Sequence, residues 1–114
     1  MDRDSYKDKK EPAIVVCSLG DASVTEGEVA EAFQMAALKQ FPILYLIQDN
    51  GWDISANAEE TKSHECSRRY AEGFKGIETR SIEATFECYT VLDEVIKTIR
   101  KNGDKFWYTP KFLC

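Results

Sequence analysis

The sequence predicts an α/β domain: a three-layer arrangement with a mainly parallel sheet assembled from βαβ units. Three observations carry this reading. Two short, continuous apolar runs, AIVVCSL (13–19) and ILYLIQ (43–48), have the length and β-branched content of strands covered on both faces. Two other stretches repeat their apolar residues at helical spacing. The two kinds of segment alternate along the chain.

In chain order, residues 1–12 (MDRDSYKDKKEP) read as a solvated lead-in ahead of a domain over 13–114. The first strand covers 13–19 and leads into a helix over 25–40, on which Val29, Phe33, Ala36 and Ala37 recur at helical intervals. Thr25 followed by Glu28 has the spacing of a capping box, and periodicity places Phe33 and Met35 in the core. Pro42 introduces the second strand, which completes a βαβ unit of about 35 residues. The polar stretch after Trp52 carries Cys66, Tyr70 and Phe74 at i, i+4 and i+8, which suggests a partly exposed helix ending near Gly73 or Gly76. A weaker strand is expected over 77–82 and a helix over 86–101, with Leu92, Val95, Ile96 and Ile99 on one face. Asn102-Gly103 ends that helix, and a last strand over 105–113 carries Pro110, suited to an edge or a strand end.

Composition narrows the function. The 114 residues carry a net charge of −5, which argues against the basic surface of a nucleic-acid binder. No apolar run approaches the roughly 20 residues needed to cross a bilayer, and the charged N-terminus lacks a signal peptide's apolar core, so a cytoplasmic location is expected. The cysteines, Cys17, Cys66, Cys88 and Cys114, are scattered and form no zinc spacing with the single His64; they read as reduced thiols. Cys66 and His64 stand two apart, a poor arrangement for a catalytic pair. Arg68 and Arg69 read as a solvated face.

Chemistry is expected where the strands end, because open parallel sheets bind ligands beyond the C-terminal ends of their strands. SLGDAS follows the first strand and QDNGWD the second. Asp21 offers a carboxylate, Asn50 an amide oxygen, and Gly51 a bend that turns the Trp52 carbonyl inward. Three hard oxygen donors with room for phosphate oxygens and water suit octahedral Mg²⁺. The amides of Ala22 and Ser23, leading into a helix N-terminus, suit a diphosphate.

The same residues carry a family resemblance. GDASVTEGEVAEAFQMAALKQFPILYLIQDNGWDIS resembles the thiamine-diphosphate motif, Gly-Asp-Gly followed after a spacer by Asn-Asn. Here 26 residues separate Ala22 from Asp49. The flanks TEGEVAEAFQMAAL and QDNGWDIS are similar to the α subunit, or α-like half, of the decarboxylating first component of 2-oxoacid dehydrogenase complexes, of the branched-chain or pyruvate type. The resemblance runs from about Ala13 to Leu113 and weakens after Ser55.

It implies thiamine diphosphate and Mg²⁺ as cofactors, with Asp21 and Asn50 ligating the metal by side chain and Trp52 by its carbonyl. Gly20, Ala22 and Ser23 would form the turn around the diphosphate, and Glu26 and Gly27 would be structural. The implied partners are a pyrimidine-binding β subunit or domain, which holds the carboxylate that activates the cofactor, and the lipoyl-bearing second component. The chain would then be a fragment of an enzyme that decarboxylates a 2-oxo acid and passes the acyl group to lipoyl, inactive by itself.

Two positions depart from the motif. Ala22 stands where the motif has its second glycine, at a cost of about 1–2 kcal/mol if the backbone there has positive φ. Asp49 stands where it has the first asparagine. A second carboxylate about 6 Å from a diphosphate would repel it by roughly 3 kcal/mol at an effective dielectric near 20. Alternation along a strand, however, turns Asp49 away from Asn50.

Two other classes compete. A stand-alone flavodoxin-like or receiver-like module would hold Mg²⁺ or phosphate at acidic strand ends and needs a lysine, Lys105 or Lys111, on a late strand. An interaction piece would dock a partner through Trp107, Tyr108 and Phe112.

Overall fold

Parallel pairing of the two apolar runs organises the fold of this computed structural model, which describes residues 12–61, 67–82, 85–101 and 111–113. β1 (Val15–Gly20) and β2 (Ile43–Gln48) run side by side in register, from Val15 opposite Ile43 to Gly20 opposite Gln48. Between them, a 3₁₀ turn (Ala22–Thr25) passes into helix α1 (Gly27–Lys39). The anticipated capping box does not form. Thr25 donates its hydroxyl back to the Ala22 carbonyl at 2.8 Å, closing the 3₁₀ turn, and Glu26 is the residue that precedes the helix.

After β2, a short hairpin pairs β3 (Trp52–Asp53) with β4 (Ala56–Asn57). Two helices follow, α2 (Ala58–Thr61) and α3 (Arg68–Glu72); residues 62–66 between them lie outside the described residues, and α3 is capped by Gly73, one of the two ends expected from the sequence. Of the expected helix's three marker residues, Tyr70 and Phe74 pack on the core, and Cys66 lies outside the described residues. β5 (Glu78–Arg80) is shorter than expected, and a 3₁₀ turn (Thr85–Glu87) leads into α4 (Cys88–Lys101). Of the expected last strand, β6 (Lys111–Leu113) is the described part; 105–110, with Lys105, Trp107 and Tyr108, fall outside the described residues.

The sheet order is β1-β2-β6-β5, with every neighbouring pair parallel. This is the α/β architecture with a parallel sheet that the alternation predicts. β6 sits inside the sheet, between β2 and β5, so of the two placements that Pro110 suits the edge is excluded; Pro110 itself lies outside the described residues. The correction at the other end is β1. Among the described residues it has only β2 as a neighbour, and Val15 and Val16 are about half exposed, so in the described sheet this strand lies at the edge and is not covered on both faces.

Apolar packing occupies both faces of the sheet, because β2 alternates its side chains across the two. Tyr45 and Ile47 join Phe33 and Ala36 of α1, together with Val24, Ala71 and Ile77. Leu44 joins Val95 and Ile99 of α4. Phe33 meets Tyr45 and Phe74 edge-on, with ring centroids 4.7 and 5.7 Å away, an arrangement favoured by the ring quadrupoles. Burial, with Cys17 alongside, raises the pKa of the Tyr45 hydroxyl above its ordinary value. Met35, expected in the core, is 49% exposed: it stands two positions, about 200° of helical turn, from Phe33.

α1 ends where Gln40 takes a left-handed conformation at φ 52°, its N–H bonding to the Ala36 carbonyl and its side-chain amide to the Ala37 carbonyl. Gly76, at φ +96°, passes so close that a Cβ there would lie 2.6 Å from Gln40 Nε2. Gly76→Ala combines backbone strain with this contact, and we expect it to lower stability by about 1–2 kcal/mol, read as a shifted midpoint in urea unfolding.

Candidate functional site

The two strands that open the fold end level with each other. Gly20 pairs with Gln48, and the Asp21 N–H donates to the Gln48 carbonyl at 3.3 Å, so GDAS and DNGW emerge side by side from one edge of the sheet. A shared edge of this kind is where an open parallel sheet receives a ligand.

On the first strand end, Asp21 is 1% exposed and adopts right-handed helical angles, φ −64° and ψ −33°. Its side chain makes no capping bond to the 3₁₀ turn. Burying a carboxylate is costly without compensation, so a fully buried Asp at this point is a feature the fold maintains. Ala22 opens the 3₁₀ turn; among the described non-glycine residues only Gln40 and Ile54 have positive φ. Alanine therefore fits at position 22 without the strain considered from the sequence. We expect Ala22→Gly to bring no gain in stability and to cost about 0.5–1 kcal/mol through the greater freedom of the unfolded chain, as thermal melting would show. Ser23 is exposed at the top of the same turn. Gly20 needs neither positive φ nor empty space, since a Cβ there would meet only Ser23 Oγ at 3.8 Å.

On the second strand end, Asn50 Oδ1 accepts the Trp52 N–H at 2.9 Å, and Gly51 bends the chain at φ 75°. This fixes the direction of the Asn50 amide and leaves its oxygen a second lone pair. In a hairpin with a two-residue loop, the ladder bonds belong to the pair flanking the loop, Asp53 and Ala56, and the next pair is not bonded. Trp52 and Asn57 are that next pair, and the Asn57 N–H instead donates to Glu60 Oε2 at 3.0 Å. The ladder therefore does not consume the Trp52 carbonyl. The Trp52 ring is more than half exposed, so it is not a core aromatic.

Asp49 has a role that the sequence did not disclose. Its Oδ1 accepts the Gly51 N–H at 3.3 Å, and its Oδ2 accepts both the hydroxyl and the N–H of Ser67, at 3.0 and 3.4 Å. Ser67 is fully buried and immediately precedes α3, so this carboxylate ties the end of β2 to the start of that helix. Nothing in the local pattern marks Ser67, which stands in a polar stretch with no periodicity of its own. Beyond it, Arg68 pairs with Glu72 at 3.1 Å on a partly exposed surface, and Arg69 is exposed.

The donors at these strand ends are hard oxygens: one carboxylate, one amide and one backbone carbonyl. That set suits Mg²⁺ completed by phosphate and water, and a metal held chiefly by the protein would need more ligands. Among the described residues, no three or more His, Cys, Asp or Glu side chains gather as a metal cluster. Cys17 and Cys88 take part in no disulfide among the described residues, while His64, Cys66 and Cys114 lie outside them. The receiver-like alternative loses Lys111: it pairs with Leu44, four residues and about 13 Å of strand before the end of β2.

A family model described as "Dehydrogenase E1 component" matches residues 5–85. The chain is 31% identical over 87 residues to the pyruvate dehydrogenase E1 component subunit alpha of Rickettsia conorii, covering 75% of this chain and 26% of that protein. With the subunit of the same name from Zymomonas mobilis it shares 27% over 70 residues, 61% of this chain and 20% of the relative. With the mitochondrial 2-oxoisovalerate dehydrogenase subunit alpha 2 of Arabidopsis thaliana it shares 37% over 51 residues, 45% of this chain and 11% of the relative. The chain thus spans about a fifth to a quarter of the length of the pyruvate dehydrogenase relatives it matches.

Proposed function

The chain belongs to the dehydrogenase E1 component family, and on that premise we propose that it is the diphosphate- and Mg²⁺-binding part of a thiamine-diphosphate-dependent 2-oxoacid dehydrogenase. The observation that carries the reading is the level ending of β1 and β2, which brings Asp21 and Asn50 to one edge of the sheet.

In this reading Asp21 and Asn50 hold Mg²⁺ by their side chains and Trp52 by its carbonyl. Gly20, Ala22 and Ser23 form the turn that receives the diphosphate. Each residue's preparation is local. The 3₁₀ turn sets the amides of Ala22 and Ser23 ahead of α1, and the Asn50–Trp52 bond orients the amide. The Asp49–Ser67 bonds support the loop from behind. Thiamine diphosphate, when bound, supplies the electron sink for decarboxylating a 2-oxo acid. The chain's contribution would be to hold the diphosphate end, the carboxylate that activates the cofactor coming from a pyrimidine-binding β subunit or domain. A lipoyl-bearing second component would take the acyl group. By itself the chain would bind and orient without turning over substrate.

The test is an amide NMR titration of the chain with thiamine diphosphate, with and without Mg²⁺. Shifts confined to Gly20–Ser23 and Asn50–Trp52, and dependent on Mg²⁺, are the expected result. Shifts centred elsewhere would overturn the assignment, and no shift at millimolar cofactor would mean that this edge is not a binding half-site in the isolated chain.

A further inference from the structure

Ser67 directs its hydroxyl away from the helix it precedes. A serine just before a helix is a preferred capping residue, its side-chain oxygen accepting one of the first free N–H groups. Ser67 stands immediately before α3, is fully buried, and makes no side-chain capping bond. Its hydroxyl donates instead to Asp49 Oδ2 at 3.0 Å, across 18 residues of chain, and its N–H reaches the same oxygen at 3.4 Å. The other carboxylate oxygen accepts the Gly51 N–H at 3.3 Å. Gly51 lies between Asn50 and Trp52, so one side of Asp49 grips the loop and the other grips a buried anchor.

We infer that Ser67 is a positioning residue for the loop 50–52: through Asp49 it holds the loop's backbone and keeps a carboxylate turned away from an anion bound at this edge. The charge-holding half of the inference rests on the cofactor reading; the backbone half does not. Asp49 is exposed, follows the last residue of β2 and is next in the chain to Asn50. Swung toward a diphosphate, its carboxylate would bring the repulsion expected from the sequence. Hydrogen bonds from donors to a carboxylate are among the stronger ones, so the Ser67 hydroxyl favours the orientation that points the charge at α3. Without the hydroxyl, only the longer N–H bond from position 67 remains. A neutral asparagine at position 49 carries no charge to be turned away. The two positions are therefore coupled: aspartate at 49 calls for a hydroxyl donor at 67, and asparagine does not.

The test is a double-mutant cycle on the 114-residue chain, with circular dichroism to check that each variant is folded. With no ligand present, Ser67→Ala is expected to shift the amide resonances of Gly51 and Trp52 and to speed exchange of the Gly51 amide, leaving Gly27–Lys39 unmoved. Titrated with thiamine diphosphate and Mg²⁺, it should bind about tenfold more weakly than the wild-type chain. In the Asp49→Asn background the same substitution should change affinity by less than about twofold, because no carboxylate remains to be held. If Ser67→Ala does not fold, Ser67→Cys, close in size and a weak donor, is expected to give the same pattern. Equal losses of affinity in the two backgrounds would mean that Ser67 acts by packing alone, which overturns the proposal. A folded variant whose Gly51 and Trp52 amides stay in place overturns it too. A wild-type chain that binds no cofactor removes the cofactor reading and the charge-holding half with it, while the ligand-free shifts decide the positioning of the loop by themselves.

Discussion

Phe33→Ala should lower the unfolding free energy by about 3–5 kcal/mol, the range for emptying a well-packed aromatic site. Phe33 is among the largest fully buried side chains in the described core, and it is the ring that Tyr45 of β2 and Phe74 beyond α3 both meet edge-on. Removing it uncouples helix, sheet and the segment after α3 at one point, and no neighbour on the rigid sheet can move in to refill the space. A domain of this size has about 5–15 kcal/mol in total, so the loss is a large share of its stability. Urea unfolding is the measurement. Met35→Ala, only two residues away on the same helix, should cost less than about 0.5 kcal/mol, because that side chain is half in water. Equal losses in the two variants would mean that the assignment of helix faces is wrong.

Asp21→Asn should reduce Mg²⁺-dependent affinity for thiamine diphosphate by at least about a hundredfold, equivalent to ~2.7 kcal/mol. The substitution keeps the shape of the side chain and removes the only formal charge among the three proposed metal ligands. Asp49→Asn tests the contrast. That carboxylate is engaged by Gly51 and Ser67, so its loss should change cofactor affinity by no more than about threefold while loosening the tie to α3. Isothermal titration on both variants separates the cases. Because Asp21 is buried, its replacement could disturb folding; Asn50→Ala, at an exposed position, should lose binding with the fold intact. Unchanged affinity in a folded Asp21→Asn variant would remove this edge as the metal site.

The parts of this fold legible in the sequence are those where one physical signal dominates. AIVVCSL and ILYLIQ are too apolar and too β-branched to be anything but strands at that length, and α1 and α4 show their buried stripes directly through Phe33 and Ala36 and through Val95 and Ile99. Of the candidate site, its placement was legible: GDAS and DNGW each directly follow one of the apolar runs, and those runs pair as neighbouring strands that end level. Segments without a single dominant signal were not legible. Cys66, Tyr70 and Phe74 have helical spacing, yet α3 spans only Arg68–Glu72, because Asp49 captures Ser67 from 18 residues away and sets where that helix begins. A long-range bond of this kind leaves no periodic trace. Likewise, the apolar run of β1 says that it pairs, and says nothing about whether it has one neighbour or two.

The position of β6 also orders events during synthesis. β6 is made after both of its neighbours, so a nascent chain can dock α1 across β1 and β2 early, while β5 waits for Lys111–Leu113 before it gains this partner. Until then, the edges of β2 and β5 that β6 will cover carry open rows of amides and carbonyls, the kind of template that recruits strands from other chains. The same arrangement makes β6 a latch: deleting Lys111–Leu113 would remove the strand that joins β2 to β5. A ribosome that pauses before position 111 would hold these strands apart for the length of the pause.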